Sequence, residues 1–296
     1  RAGALEWVIL KPGLVISRNA QGGTTLIRML AGAPLIAPVL LGDAKIQCVA
    51  ASDVARAVLM AVDGRLPRRA DYELVEEEAH RLEDVIGAFR YWLGFSAPVA
   101  RLRLPRWTAM LVGAIADGAG LFGWRSPLRH TALSVLKEGV EGDPASWRRA
   151  TGERLKSLDE ALAAMPATAQ ERLFARIELL APILIVALGL FWIVSGVIGV
   201  ASEGAAAAHL SAITGDGVAR ALARAGGALD FLIGAMVLIR PLARAGAVAS
   251  FLAAAFYLIA ASVIEPSLWL DPLGPLVKII PCLALSGAVA ALLEAR

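Results

Sequence analysis

Three charged residues lie inside otherwise apolar segments in the carboxyl-terminal part of this sequence. Arg224 and Asp230 fall within residues 221–239, Asp230 near the middle, and Lys278 falls within residues 272–293. A charge at the bilayer centre costs at least about 2.5–3.5 kcal/mol, so such groups usually face a bundle interior and pair with each other. We therefore predict an intramembrane pair of Asp230 and Lys278. It would be either a structural ion pair or a site for a proton, a quinone or another small molecule.

A second candidate site is Lys11-Pro12-Gly13, which follows an apolar run beginning near residue 5. Proline lacks a backbone donor and glycine relaxes the backbone, so together they mark the end of a strand. In open α/β sheets, ligands bind at the carboxyl edge of the strands. This strand end is thus a candidate ligand contact, with a simple chain turn as the alternative.

Two more polar positions precede an apolar helical run at residues 54–62. Ser52 or Asp53 is predicted to cap that helix, because a short polar side chain can accept a bond from a free backbone N–H of the first turn. Gln47, in the short strand before the helix, is a candidate for facing a substrate cleft.

Four apolar segments must position the intramembrane pair. Residues 179–200 and 245–264 carry no charge, and a spanning helix needs about 20 such residues. With 221–239 and 272–293 they predict a compact antiparallel four-helix transmembrane bundle. Glu178, just before the first segment, is expected to extend toward the membrane interface.

Basic residues mark one side of these segments. They precede the first span, fill the connection after the second, and follow the fourth, whereas acidic residues dominate the other connections. The excess of Lys and Arg in cytoplasmic loops predicts a multi-pass protein of the inner (cytoplasmic) membrane, with both ends in the cytoplasm. The basic positions are Arg148, Arg149, Arg154, Lys156, Arg172, Arg176, Arg240, Arg244 and Arg296.

Charge also divides the chain into domains. Residues 177–296 hold 13 of the 55 charged side chains, and the 57% hydrophobic content exceeds that of an ordinary soluble domain. We predict an α/β domain at 1–165, a linker at 166–176 and a membrane domain at 177–296. The net charge of +3 is spread along the chain, which gives no support for nucleic-acid binding. Cys48 and Cys282 are far apart without metal-site spacing, so no metal site is predicted.

The first domain alternates strands with helices, which predicts an α/β fold with a parallel sheet. Residues 105–124 are apolar but interrupted by glycines, which favours a core or membrane-surface helix over a fifth span. The predicted strands are 5–16, 46–50 and 72–75, and the predicted helices are 22–31, 54–62, 82–93, 105–121, 126–138 and 158–162.

Several stretches in this domain resemble extended and atypical short-chain dehydrogenases/reductases, the nucleotide-sugar epimerase-like branch. LEWVILKPGLV resembles a late strand of that family. The Gly-Asp turn and the Q-x-V-x-x-x-D-V-A stretch that follow are similar to the next part of that family. The stretch YELVEEEAHRLEDVIGAFRYWLG then resembles its carboxyl-terminal lobe. The resemblance covers roughly residues 1–165 and implies the carboxyl-terminal half of a Rossmann-like NAD(P)-binding domain.

The resemblance also implies a cofactor contact. The backbone at Pro12, Gly13, Leu14 and Val15 would touch the nicotinamide-ribose end of NAD or NADP. The family's G-x-x-G-x-x-G loop and Tyr-x-x-x-Lys pair do not occur in these residues. The resemblance places both motifs before Arg1, and enzymatic activity depends on whether the second is present.

The stretch EPSLWLDPLGPLVKIIP resembles the DoxX-like family, a small four-helix membrane module. The two resemblances together imply a membrane-anchored NAD(P)-binding oxidoreductase or epimerase-like protein, acting near the bilayer on a lipid-soluble or membrane-delivered substrate. One alternative is a non-catalytic NAD(P)-binding sensor or assembly factor. Another is a membrane protein whose function lies in the bundle itself.

Overall fold

The structure is a computed structural model that describes residues 6–294, without the side chains at positions 106, 206, 209, 210, 212 and 213. The chain divides into two compact units. One, here the α/β unit, holds the described residues up to 119 together with 125–179. The other, here the helical unit, holds residues 120–124 and those from 180 onward.

Short strands alternate with helices in the α/β unit, in agreement with the α/β prediction in its coarse form. Of the predicted strand at 5–16, residue 5 lies outside the described residues, and the remainder contains two strands separated by Gly13. The strands are β1 Val8–Pro12, β2 Leu14–Ile16, β3 Ile36–Val39, β4 Lys45–Ile46, β5 Cys48–Ala50, β6 Ala70–Leu74, β7 His80–Arg81 and β8 Ala100–Arg103. The helices are α1 Gly23–Ala31, α2 Ala51–Val62, α3 Leu82–Trp92, α4 Arg106–Leu121, α5 His130–Glu138, α6 Ala145–Thr151 and α7 Leu158–Ala163.

Most of these strands pair in parallel. β1 pairs with β6, β2 with β5 and β3 with β8, whereas β4 and β7 are antiparallel. The described strands form separate two-stranded pairs instead of the single parallel sheet that was predicted. In the β1–β6 register, Val8 faces Ala70 and Pro12 faces Leu74. Parallel partners require a long crossover, and here the intervening chain includes α1 and α2.

Gly13 lets the first strand change partners. Its N–H donates to the Leu74 carbonyl at 3.0 Å, and the next N–H, of Leu14, donates to the Gln47 carbonyl at 2.9 Å. A Cβ on Gly13 would lie 2.5 Å from the Gln47 carbonyl oxygen. Only glycine fits such a close approach of two backbones, so it permits the switch from β6 to β5.

Two apolar clusters form the interior of the α/β unit. One joins α1 and α3 around the buried Ile27, Phe89 and Leu93. The other surrounds Trp147 and Tyr72, whose rings meet edge to face with centroids 6.4 Å apart. Leu14 packs on the first cluster and Val15 on the second, so the short β2 strand contributes to both.

The predicted helix cap at Ser52 or Asp53 is wrong. α2 begins at Ala51, its N-cap is Ala50, and no side chain caps it. Asp53 lies in the first turn, where its negative charge complements the helix dipole. Its buried carboxylate instead accepts from the Lys156 backbone N–H at 3.0 Å and contacts the Lys156 ammonium at 2.6 Å.

Long apolar helices dominate the second part of the chain. They are α8 Ala169–Ala201, α9 Glu203–Thr214, α10 Asp216–Leu238, α11 Ala243–Ile264 and α12 Ile279–Glu294, with a 3-10 turn at Pro266–Trp269. By length and composition α8, α10 and α11 can each cross a membrane. Most of the predicted linker, 166–176, forms the first turns of α8, and α9 was not predicted.

The fourth predicted span differs most from expectation. Residues 272–278 form turns, because Pro272 and Pro275 interrupt a helix and Gly274 has a positive φ of 57°. The helix α12 then has 16 residues, about 24 Å at 1.5 Å per residue. This length is less than the roughly 30 Å thickness of a bilayer's hydrocarbon core.

Glycines set the spacing of α8 and α10. A Cβ on Gly196 would lie 2.5 Å from both the Gly227 carbonyl oxygen and the Phe231 nitrogen, and one on Gly234 would lie 2.6 Å from the Gly189 carbonyl oxygen. The two pairs, Gly189 with Gly234 and Gly196 with Gly227, therefore let the helix backbones touch. Small residues at such crossings are typical of helix packing in membranes.

We expect Gly196→Ala to destabilise the helical unit by about 1–3 kcal/mol, because the added methyl group would meet backbone atoms that cannot rotate away. The matched control is Gly217→Ala in α10, where an added Cβ meets nothing within 4 Å. That change should leave stability equal or raised by up to about 1 kcal/mol, since alanine favours helix. Thermal unfolding in detergent measures both, and equal stability of the two variants would contradict the packing argument.

Candidate functional site

Asp230 is the buried carboxylate of the helical unit. It lies in the middle third of α10 with 7% of its surface exposed. One oxygen accepts from the Tyr257 hydroxyl of α11 at 2.7 Å, and the other accepts from the Ser195 hydroxyl of α8 at 3.1 Å. Three helices thus converge on one carboxyl group through side-chain hydroxyls.

Trp192 completes this group, here called the Asp230 cluster: Trp192, Ser195, Asp230 and Tyr257. Trp192 precedes Ser195 by three positions on α8, so the two share a helix face. Its ring centroid lies 6.2 Å from that of Tyr257. The indole N–H is buried and has no hydrogen-bond partner within the described part of the chain. The cluster therefore combines an acid and two hydroxyls with an indole N–H that donates to no described residue, on a ring that lies beside Tyr257.

The predicted pairing of Asp230 with Lys278 is wrong. Lys278 is exposed, lies in the turn before α12, and forms no ion pair with Asp230 among residues 6–294. The prediction assumed that a buried charge needs an opposite charge, whereas two hydroxyl donors satisfy it here. Glu178, also named from the sequence, lies half-buried in α8.

Sequence reasoning missed Ser195, Tyr257 and Trp192. Each carries a polar atom inside an apolar run, which is the same signal that identified Asp230. Such residues usually face the bundle interior. Searching the spans for hydroxyl and indole groups as well as charges would have found them.

The structure brings together some of the residues of the other candidate site, at the end of β1. The Lys11 ammonium pairs with Asp71 at 2.8 Å, and Pro12 is exposed at the strand end. Gly13 is held against Gln47, while Leu14 and Val15 direct their side chains into the two apolar clusters. Of the four predicted cofactor contacts, Pro12 is thus the one whose side chain is exposed.

Gln47 does not face a cleft, contrary to its prediction. It is buried, its amide nitrogen donates to the Glu76 carbonyl at 2.8 Å, and its amide oxygen accepts from the Gly142 N–H at 2.7 Å. Both ends of the side chain are therefore used within the fold. Its role is to connect β5 to the loop before α6.

Glu76 was not named from the sequence and, with Asp53, is one of the two most buried acids among the described residues of the α/β unit, each 1% exposed. Its carboxylate accepts from the backbone N–H groups of Cys48 and Leu158, each at 2.7 Å, and lies 3.1 Å from the His80 ring nitrogen. Burial, aided by the nearby Glu76 carboxylate, raises the pKa of the Cys48 thiol. Cys48 is thus a packed thiol and not an activated nucleophile.

A capping box lies at the start of α7, next to the bond between Leu158 and Glu76. The Glu160 carboxylate accepts from the Ser157 N–H at 2.9 Å, and the Ser157 hydroxyl accepts from the Glu160 N–H at 3.3 Å. Arg154 binds both Glu160 oxygens at 2.6 and 2.7 Å, and this guanidinium lowers the pKa of Glu160 to about 2. The bonds from the Leu158 N–H to Glu76 and from the Lys156 N–H to Asp53 fasten the start of α7 to the segment after β6 and to α2.

The α/β unit also has an open, charged cavity of about 330 Å³ beside β3, β4 and β8. Glu83 lies in its wall and is bound by Arg103 at 3.0 Å and by Arg81 at 3.0 Å. Within the described residues, no group of three or more His, Cys, Asp or Glu side chains is arranged to hold a metal ion.

A comparison with protein families finds a match to part of the helical unit. Residues 189–287 match the family model described as the DoxX-like family, and this range includes the whole Asp230 cluster. With three helices able to cross a membrane, the match indicates a membrane protein in a lipid bilayer environment. No curated protein matches the chain.

Among solved structures, the chain is similar to UDP-glucose 4-epimerase from Thermotoga maritima, crystallised with UDP-glucose. The identity is 15%, the match covers 53% of this chain and 44% of that one, and the TM-score is 0.35. The chain therefore spans less than half the length of that enzyme. A score this low supports no further argument about fold or function.

A double-mutant cycle tests the Asp230 cluster. We expect Tyr257→Phe and Asp230→Asn to be coupled by about 0.6–1.7 kcal/mol in unfolding free energy, the range measured for hydrogen bonds between membrane helices. Lys278→Met is the control, and its effect should add to that of Asp230→Asn within about 0.5 kcal/mol, because the groups do not interact. Coupling to Lys278 without coupling to Tyr257 would contradict the assigned contacts.

The capping box makes a pH-dependent prediction. Because folding lowers the Glu160 pKa to about 2, its ionised form favours the folded state. The stability advantage of the wild-type chain over Glu160→Gln should be fully present above about pH 4.5 and be lost as the pH falls toward about 2. Denaturant midpoints of both proteins across this range measure it. An advantage that did not change with pH would contradict the prediction.

Proposed function

We propose that the chain is the carboxyl-terminal part of a membrane-anchored, NAD(P)-binding protein of the short-chain dehydrogenase/reductase type. It acts as an oxidoreductase or epimerase-like enzyme on a lipid-soluble or membrane-delivered substrate. The helical unit anchors it in the inner (cytoplasmic) membrane, with the α/β unit and the carboxyl terminus in the cytoplasm. The distribution of Lys and Arg supports this orientation.

The observation that carries the proposal is the parallel pairing of β1 with β6. Parallel pairing brings the carboxyl end of β1, at Pro12, next to the end of β6, at Leu74. Ligands of open α/β sheets bind at that edge. The order of elements between the two strands also supports the proposal. There the Gly-Asp turn and the Q-x-V-x-x-x-D-V-A stretch lead into α2.

The residues at this edge suit one end of a dinucleotide. Pro12 is exposed and offers an apolar ring surface without a competing N–H, which fits the face of a nicotinamide or its ribose. Gly13 keeps the edge narrow because it carries no side chain. The backbones of Leu14 and Val15 are held in place by the pairing of β2 with β5 and would support this contact. The cofactor, NAD or NADP, would supply hydride transfer.

The Asp230 cluster favours a second candidate function, in which the helical unit itself binds a proton, a quinone or another lipid-soluble molecule. The supporting observation is the buried indole N–H of Trp192, which has no partner among the described residues and whose ring lies next to Tyr257, the donor to Asp230. Polar groups at such depth are a sign of function in membrane proteins. In this case the α/β unit would be a regulatory partner or a non-catalytic NAD(P) sensor.

Cofactor binding by the full-length protein in membranes tests the first proposal. We expect NADH or NADPH to bind, and Pro12→Trp to weaken binding by about tenfold or more, equivalent to at least about 1.4 kcal/mol, because the larger ring occupies the contact surface. The matched control is Val62→Trp, at an exposed position of α2, which should bind like the wild type. A titration followed by NADH or NADPH fluorescence measures cofactor binding by the wild type and by both variants. Absence of binding, or equal losses in both variants, would overturn the proposal.

Asp230→Asn separates the two candidates in the same assay. If the α/β unit carries the function, this variant should keep both cofactor binding and any NAD(P)H-dependent turnover. Loss of turnover with unchanged cofactor binding would assign the function to the helical unit. Binding without turnover in the wild type would favour the sensor.

A further inference from the structure

The helix α4 has an apolar face that the fold leaves open. Its exposed side chains include Trp107, Met110, Leu111, Ile115 and Leu121, each more than half accessible. At about 100° per residue these positions fall within a sector of about 140°, so they form one stripe along the helix. A contiguous exposed apolar stripe of this kind marks an interaction surface, since soluble proteins seldom leave one uncovered.

The opposite face of α4 is already packed. Ala109, Gly113 and Ala116 are buried. A Cβ on Gly113 would lie 3.2 Å from the Cα of His130 at the start of α5, so this side closely contacts the α/β unit. The fold thus fixes which side of the helix faces outward. The apolar stripe is a consequence of that packing and not of a helix free to rotate.

Chain continuity connects this stripe to the membrane. The Phe122 carbonyl accepts from the Arg240 N–H at 2.9 Å, and the Trp124 indole N–H donates to the Leu238 carbonyl at 2.7 Å. The Arg240 guanidinium also stacks over the Trp124 ring at 5.5 Å. These contacts lie within the helical unit, in the turn between α10 and α11.

That turn must lie at a membrane face, because both helices it joins are long enough to cross the bilayer. Leu121, the last residue of α4, is followed directly by Phe122, which is bound there. Because a peptide bond joins Leu121 to Phe122, the carboxyl end of α4 is held at this membrane face. With 16 residues the helix measures about 24 Å, too short to cross a hydrocarbon core of roughly 30 Å.

The charges around α4 fit a lipid surface as well. Arg101 and Arg125 are exposed on either side of the helix. Its acidic residue, Asp117, is paired with Arg129 at 3.1 Å. Cationic residues beside an apolar stripe are typical of helices that lie in the interface of an anionic membrane. Trp107 and Trp124 carry rings of the type that favours the headgroup level.

We propose that α4 is an interfacial helix whose Trp107–Leu121 stripe lies in the boundary between lipid headgroups and acyl chains. The partner is the bilayer surface, and the helix would hold the α/β unit close to it. This inference goes beyond cofactor binding and does not depend on it. A second protein or a second copy covering the stripe is the competing outcome.

Lipid-depth quenching in nanodiscs that contain one copy of the full-length chain tests the proposal. A fluorophore is attached to a cysteine introduced at Met110, Leu59 or Leu252, whose exposed fractions are 61, 62 and 61%. Leu59 on α2 is the matched control away from the stripe, and Leu252 on α11 is the reference within a span. The parent chain, with Cys48 and Cys282 both buried, gives the labelling background.

Lipids brominated near the headgroup should quench the label at position 110 several-fold more than the label at 59. Lipids brominated near the chain ends should quench the label at 252 more strongly than that at 110. Equal, weak quenching at 110 and 59 would overturn the proposal, because the stripe would then face water or a protein. Equal quenching at 110 and 252 by the deep bromines would also overturn it, because α4 would then be inserted.

Discussion

The contact between the backbones of α8 and α10 is the constraint on which the chemistry of the helical unit depends. Two glycine pairs remove the side chains that would otherwise hold the helices apart. At that separation the Ser195 hydroxyl on α8 reaches the Asp230 carboxylate on α10 at 3.1 Å. A bilayer offers no water to satisfy a polar group, so a wider helix spacing would leave the carboxyl dependent on Tyr257. The glycines that bring α8 and α10 together therefore also place the Asp230 carboxylate within reach of Ser195.

Buried carboxylates are satisfied differently in the two units. Glu76 accepts from two backbone N–H groups, which can only donate, and also lies beside the His80 ring nitrogen. Asp230 is bound by the hydroxyls of Ser195 and Tyr257, which can either donate or accept. Its partners can therefore remain bonded whether or not the acid carries a proton. The backbone bonds make Glu76 a structural fastening, whereas the two hydroxyl partners leave Asp230 able to exchange a proton.

Elements defined by a long pattern could be predicted from the sequence, while contacts across the chain could not. The uncharged run at 179–200 and the Lys11-Pro12-Gly13 strand end both appear where expected. The division of the first strand at Gly13 required knowing that two different strands would lie beside it. The cap at Asp53 and the partner of Asp230 failed for a similar reason. Local sequence rules indicate which bonds a side chain can form, but the actual partner lies far along the chain. It is Lys156 for Asp53 and Tyr257 for Asp230.

The chain enters the helical unit twice, first at residues 120–124 and again after residue 179. Residues 125–179 therefore form a closed loop whose two ends are both attached at the helical unit. A single protease cut in that loop would leave both fragments held by the contacts of Phe122 and Trp124 with the α10–α11 turn. Truncation at residue 179 would not yield an independent α/β unit either, since it would strip Trp124 of its partners and expose its ring. The helical unit thus includes residues 120–124 as well as those from 180 onward, and removing the residues after 179 does not remove all of it.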